Sequence, residues 1–482
     1  MTETRIDMSA TEFAYSHRIA ILLIVLVSVF MAVLDNNIVA IALPTITDMF
    51  HVSLGQSQWI ATAYIITIIA TVIVFGTLAP AIGMSRLFLS GLLVFVASSA
   101  ACGFAGSLSL LVAARVVQGL GAAMMMSISM AIILRVFPPD ERGRAMGYVT
   151  ATVALGLIIG PALGGILVDS FGWPFVFFVN VPLGLVLLVP GFCYLRLGET
   201  REENRAIDWP GAVLLIVLMT AVALILNEFS NPPVNPGVFT AFAFTGLATL
   251  AAFIFWEKRA ERPLLDLSLF GIRGFVLPSM SLILYLTATF ILIILLPFYF
   301  EGVLGYRPTQ VGLVAFVMPV AMMASSPVCG WVYDKFRPDH YALTGVFVMG
   351  LAFLLCGYGY ATGNINLVIA ALVLAGICRS IFQGPNTLEI MGALPHEKAG
   401  LSSSILVVLQ DFGIMLGISL GTIFLAFQLD RIGYTGVVLQ AGPEVLPGIF
   451  GNAMYAGGLI CIAAAIFSYK KQRGSNREGS KA

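Results

Sequence analysis

The chain has 482 residues, 59% hydrophobic and 10% charged, with a mean hydropathy of +0.97 and no net charge. A soluble domain carries about 25% charged residues, so this composition defines a polytopic membrane protein and leaves no room for a large soluble domain. No basic tract offers a surface for nucleic acid.

Apolar stretches of about 20 residues, enough to cross a bilayer, fall at 19–44, 57–79, 86–105, 108–136, 145–168, 174–195 and 209–228, then at 237–256, 275–300, 309–333, 341–361, 366–392, 400–428 and 447–469. Fourteen spans put both termini on one side. With the termini inside, only Arg307 and Arg431 of the 25 Lys and Arg fall outside, and only Arg115 and Arg379 lie within spans away from their inner ends. That asymmetry fixes the orientation with cytoplasmic termini. Nothing near the start resembles a cleaved signal peptide, so the first span is expected to stay as an anchor.

The first residue of chemical interest is Asp35, inside the first span. A carboxylate there costs about 2.5–3.5 kcal/mol on insertion scales, so it should face a cavity or a partner. It is either a structural acid satisfied by neighbours or a proton carrier. Arg115 in the fourth span lies at similar depth, with Gln118 one turn further on. Arg115 and Asp35 could pair, or Arg115 could simply hydrogen-bond carbonyls. Met124, Met125, Met126 and Met130, with Met318, Met322 and Met323, are either packing filler or an adaptable apolar surface.

Residues 154–165 carry Gly156, Gly160 and Gly164 four apart, with Pro161 and Gly165. This spacing lines one helix face and lets another helix approach to backbone contact. Pro161 removes one helix hydrogen bond. At one constant offset, the three glycines map onto Gly413, Gly417 and Gly421, and the loop Pro138-Pro139-Asp140-Glu141-Arg142-Gly143 is echoed by Pro395-His396-Glu397-Lys398-Ala399-Gly400. The chain is therefore a parallel repeat of two six-helix bundles, 1–195 and 263–482, with two extra spans and polar linkers in 196–262.

The second half adds Arg379, Gln383, Asn386, Glu389 and Asp411. Asp411 and Arg379 lie near mid-depth, so an ion pair between them is expected. Glu389 is nearer a helix end and reads either as interfacial or as lining the cavity. The histidines, His17, His51, His340 and His396, all fall at helix ends or in loops, which leaves carboxylates to carry protons. The six cysteines (Cys102, Cys193, Cys329, Cys356, Cys378, Cys461) sit in apolar segments without paired spacing and read as buried small hydrophobes. No metal spacing, cofactor motif or hydrolytic constellation is present, which disfavours a membrane-embedded enzyme.

These motifs resemble the fourteen-helix drug:proton antiporter family of the major facilitator superfamily, the EmrB/QacA type, over nearly the whole chain. Leu34-Asp35-Asn36-Asn37-Ile38-Val39 through Leu43-Pro44 is similar to its first-span motif, with Asn37 where the family has Thr. Arg115-x-x-Gln118-Gly119 resembles the fourth-span motif tied to proton coupling. Gly156 through Gly165 resembles the antiporter motif, and Ile207-Asp208-Trp209-Pro210-Gly211 resembles the entry to the extra helix pair. The resemblance implies an all-α major facilitator fold. It also implies proton-coupled export of a lipophilic substrate across a bacterial cytoplasmic membrane, with Asp35 and Arg115 in coupling; Asp411, by its depth and its lack of a repeat equivalent, is added to them. Gln118, Met126, Arg379, Gln383, Asn386 and Glu389 would line the substrate cavity, without a cofactor. A periplasmic adaptor partner is a family implication only, and an importer or facilitator of a metabolite is the rival reading. One motif departs from the family: the loop that normally reads Gly-x-Leu-Ala-Asp-Arg-x-Gly-Arg-Lys is here Gly76-Thr77-Leu78-Ala79-Pro80-Ala81-Ile82-Gly83-Met84-Ser85-Arg86. Its acidic residue and most of its basic ones are gone, whereas the repeat copy keeps Asp334 and Lys335.

Overall fold

The computed structural model of the chain describes residues 13–197, 208–230, 234–260, 264, 267–336, 338, 340–393, 399–434 and 446–479. Within them every regular element is helical. Fourteen helices are long and apolar enough to cross a bilayer. The first seven are Arg18–Met49, Leu54–Ala79, Met84–Gly103, Leu108–Val136, Gly147–Phe171, Phe175–Tyr194 and Trp209–Phe229. The others are Pro236–Glu257, Arg273–Gly302, Pro308–Tyr333, Tyr341–Thr362, Ile365–Gly392, Ile405–Arg431 and Leu446–Tyr469. They match the expected spans one for one. Helix is the form that satisfies every backbone donor and acceptor within one apolar segment.

Parts of the polar linkers, 198–207, 261–263 and 265–266, lie outside the described residues, as do 231–233 between the extra spans and 394–398 of the second-half loop echo. The described residues form two compact units. One holds the chain up to Val39, Trp59–Ala221 and Thr245–Leu265. The other holds Ala40–Gln58, Val222–Phe244 and the chain from Asp266 onward.

Local chemistry sets the helix ends. Ser107 and Asn364 cap the fourth and twelfth spans by accepting backbone N–H groups, from Leu110 at 3.3 Å and from Asn366 at 3.1 Å. Between the second and third spans the turn is made by Gly83 at φ +99°, a conformation open to glycine alone at little cost. The atypical 76–86 segment thus keeps its turn while lacking the family's acidic residue and most of its basic ones. Asp208 caps the seventh span: its Oδ1 accepts from Gly211 N at 2.9 Å and from Trp256 Nε1 at 2.6 Å. A Cβ at Gly211 would lie 2.3 Å from Asp208 Oδ2, which explains why Asp208 and Gly211 occur together. Of the six free cysteines, five are buried; Cys193 is exposed, against expectation, because its turn of the sixth span faces outward from the bundle.

The glycine faces pack helix on helix at backbone range, each within its own unit. A Cβ at Gly156 would lie 2.9 Å from Val33 Cγ1, and one at Gly160 would lie 2.9 Å from Asn37 Cβ. In the second half, Gly413, Gly417 and Gly421 lie against the ninth span. A Cβ on Gly417 would come to 2.6 Å from the Thr287 carbonyl oxygen. Both repeats therefore seat a glycine face on the first span of their own half. The fifth-span glycines do so on either side of Asp35.

Overpacking of this kind costs about 1–3 kcal/mol. Gly417→Ala should lower the thermal unfolding temperature of the purified protein. Gly147→Ala should leave it unchanged or raise it slightly, because that helical position has nothing within 4 Å of an added Cβ. Equal effects at the two positions would contradict the packing.

Candidate functional site

Five spans converge on Asp35, which is fully buried together with Arg115, Gln118 and Asn180. Arg115 and Gln118 lie three apart on one face of the fourth span, so both reach the same point. Arg115 Nη1 forms an ion pair with Asp35 Oδ2. Asp35 Oδ1 accepts two more hydrogen bonds, from Gln118 Nε2 at 2.9 Å and from Asn180 Nδ2 at 2.9 Å. Gln118 Nε2 also donates to Ser99 Oγ at 2.8 Å, and Gln118 Oε1 accepts from Arg115 Nη1 at 2.6 Å. The guanidinium donates from Nε to the Ile60 carbonyl at 2.8 Å and lies over the Tyr64 ring, 4.1 Å from its centroid. Arg115 Nη2 and Asn180 Oδ1 are buried without a hydrogen-bond partner.

This arrangement answers the alternatives the sequence left open. Asp35 faces a partner, and Arg115 pairs with it while also binding a carbonyl. Gln118 was expected in the substrate cavity, but it is enclosed in the acid's network because its face of the helix points at the first span. Asn180, Ser99 and Tyr64 escaped the sequence reading. Single polar residues are common in apolar spans, and only the fold brings these three to one acid.

In the second half the expected Asp411–Arg379 pair does not form. Arg379 Nε donates to Gln383 Oε1 at 2.9 Å, a bond along one helix between residues four apart. Asp411 is half-buried, and its Oδ2 is enclosed without a hydrogen-bond partner. Asn386, also expected in the cavity, is packed away and donates to the Pro278 carbonyl at 3.2 Å, tying the twelfth span to the ninth. Glu389 is half-buried. Ser380 accepts from Ser325 at 2.9 Å, joining the twelfth span to the tenth.

Among the methionines, Met125 and Met318 are buried, Met126 is half-buried and Met323 is exposed. The motif residues Gly156, Gly160, Pro161, Gly164 and Gly165 are all buried. Lys335 is exposed, with its ammonium 4.7 Å from the Trp331 ring centroid; the Asp334 side chain lies outside the described residues.

Fourteen apolar helices and a buried charge network define a multi-pass membrane protein, and its family is one of transporters rather than enzymes. The chain belongs to the Major Facilitator Superfamily, whose family model matches residues 25–418 and 278–481. Within it, the chain falls in the fourteen-helix family of drug:proton antiporters of the EmrB/QacA type. It is 31% identical over 85% of its length to the riboflavin transporter RibZ of Clostridioides difficile (strain 630), covering 88% of that protein. It is 30% identical over 89% of its length to the multidrug resistance protein Stp of Mycobacterium tuberculosis (strain H37Rv), covering 82% of that protein. It is also 30% identical over 82% of its length to the multidrug export protein EmrB of Escherichia coli (strain K12), covering 76% of it. The fold matches a crystal structure of a mutant peptide transporter POT in complex with alafosfalin, with a TM-score of 0.68 over 94% of this chain and 95% of that one, at 15% identity.

Removing one partner of a buried ion pair costs about 3–5 kcal/mol. Asp35→Asn should therefore lower thermal stability by leaving the Arg115 charge uncompensated. The double variant Asp35→Asn/Arg115→Gln should recover much of the loss. Equal stability of the single and double variants would contradict the pairing.

Proposed function

We propose that the protein is a proton-coupled exporter. It exchanges external protons for a lipophilic, cationic compound by alternating access in a bacterial cytoplasmic membrane, with both termini in the cytoplasm. The observation that carries this reading is the sealed Asp35–Arg115 pair with its ready substitutes. When Asp35 takes a proton, the guanidinium loses its counter-charge but keeps Gln118 Oε1, the Ile60 carbonyl and the Tyr64 ring. Protonation therefore removes the counter-charge of the arginine, which keeps these partners, and alters the bonds of Asp35 to the fourth and sixth spans. Gly156 and Gly160 seat the fifth span against the turns around Asp35, so a shift of the first span is passed directly to the fifth.

Asp411, with an enclosed carboxylate oxygen that has no hydrogen-bond partner, supports a cationic substrate, and it is the second candidate for proton coupling. Arg379, Gln383 and Glu389 give hydrogen-bonding groups on the preceding span, and Met126 gives adaptable apolar surface. With the acidic residue and all basic residues but Arg86 missing from 76–86, gating at the cytoplasmic face falls to the second-half copy at Asp334 and Lys335. The names of Stp and EmrB support drug export. A second reading, transport of a small metabolite without proton exchange, is favoured by the similarity to a riboflavin transporter. Energetically, a proton-motive force of ~150 mV supplies about 3.5 kcal/mol per proton. That sustains roughly a 300-fold gradient of a neutral substrate.

The test is proton release on adding substrate to purified protein, using a panel of lipophilic cations, neutral drugs and riboflavin. Release by wild type that is lost in Asp35→Asn/Arg115→Gln supports exchange through Asp35, and loss in Asp411→Asn adds the second carboxylate. Binding without release by wild type would favour the metabolite facilitator and overturn the antiport reading.

A further inference from the structure

The extra pair of spans is more than a tether between repeats. Gln58 precedes the helix Trp59–Ile82, Ser230 follows the helix Trp209–Phe229, and Thr422 lies in the thirteenth span. All three are buried, at 2%, 2% and 0% exposure. The Thr422 hydroxyl donates to Gln58 Oε1. Gln58 Nε2 donates to Ser230 Oγ at 3.0 Å and reaches Asn227 Oδ1 at 3.4 Å. Ser230 Oγ and Thr422 Oγ1 are 3.3 Å apart. The donors and the acceptor oxygen of the Gln58 amide are thus all engaged, by side chains from two other spans.

Two further observations bear on this cluster. By span count, the start of the second span and the end of the seventh lie at the same membrane face. The chain segments around them, Ala40–Gln58 and Val222–Phe244, group into one compact unit with the chain from Asp266 onward. The repeat also breaks here. At the offset that carries Gly164 onto Gly421, Thr422 stands where the first half has Gly165. A hydroxyl has replaced a glycine at the position that reaches Gln58.

We infer that Gln58, Ser230 and Thr422 form a polar latch holding this face closed, with the seventh span as one of its three members. A transporter that alternates must separate these ends in one of its states. Buried polar groups resist separation until water replaces their partners, so the latch biases the protein toward the state in which this face is shut. The inference rests on the transport class alone and not on what is carried.

The test uses spin labels at Met49 and Ile432, both exposed and close to this face, in a cysteine-free background. Distances are measured in lipid by double electron–electron resonance. Thr422→Val keeps the shape and removes the hydroxyl. It should raise the population of long distances at least threefold, Gln58→Leu should do so more strongly, and Thr422→Ser should restore the wild-type distribution. Ser230→Ala should give a smaller shift in the same direction. Unchanged distances in Thr422→Val and Gln58→Leu would overturn the latch, even if thermal stability falls. No shift in Ser230→Ala would remove the seventh span from it.

Discussion

The structure depends on one buried ion pair. A carboxylate and a guanidinium held away from water in an apolar bundle are tolerated only if they pair with each other and with further polar groups. Asp35 obtains them from the third-party amides Gln118 and Asn180 as well as from Arg115. The partners come from the fourth and sixth spans, so satisfying the acid requires three spans, its own included, to assemble around it. The same requirement makes the acid a natural control point. Any change in its charge is felt at once by every span that bonds to it.

Close packing places this control point. The fifth span can lie against the first only because Gly156 and Gly160 present no side chain to the turns that bear Val33 and Asn37. Larger residues would push apart the helices that hold the network. The glycine motif and the acidic motif, read separately in the sequence, are thus two sides of one contact. The second half repeats the packing, with Gly413, Gly417 and Gly421 against the ninth span, but not the ion pair. Arg379 turns along its own helix to Gln383, and Asp411 keeps an oxygen without a partner. One repeat encloses a matched pair of charges, while in the other Arg379 and Asp411 do not pair with each other.

Much of this was legible in the sequence because the bilayer imposes strong rules. Span number and approximate ends follow from apolar length, and the repeat follows from glycine and proline spacing. Asp35 and Arg115 were visible as charges where charges are costly. Other features were not legible, for physical reasons. Asn180 and Ser99 are polar residues of a kind found on any span, and nothing local marks that one bonds to Asp35 and the other to Gln118 beside it. Gln118 and Asn386 lie on faces whose direction is set by packing, so their enclosure could not be read from depth alone. The Asp411–Arg379 pair failed because similar depth does not give similar azimuth. Cys193 shares its apolar surroundings with the buried cysteines and differs only in the side of the helix it occupies.

The central claim is that Asp35 takes up and gives back a proton during transport. Infrared difference spectroscopy on protein in lipid, with and without a transported compound, tests it at the bond concerned. The account predicts a change in the protonated-carboxyl C=O stretch that disappears in Asp35→Asn/Arg115→Gln. A spectrum with no carboxyl change, or one that persists in that double variant, would contradict it.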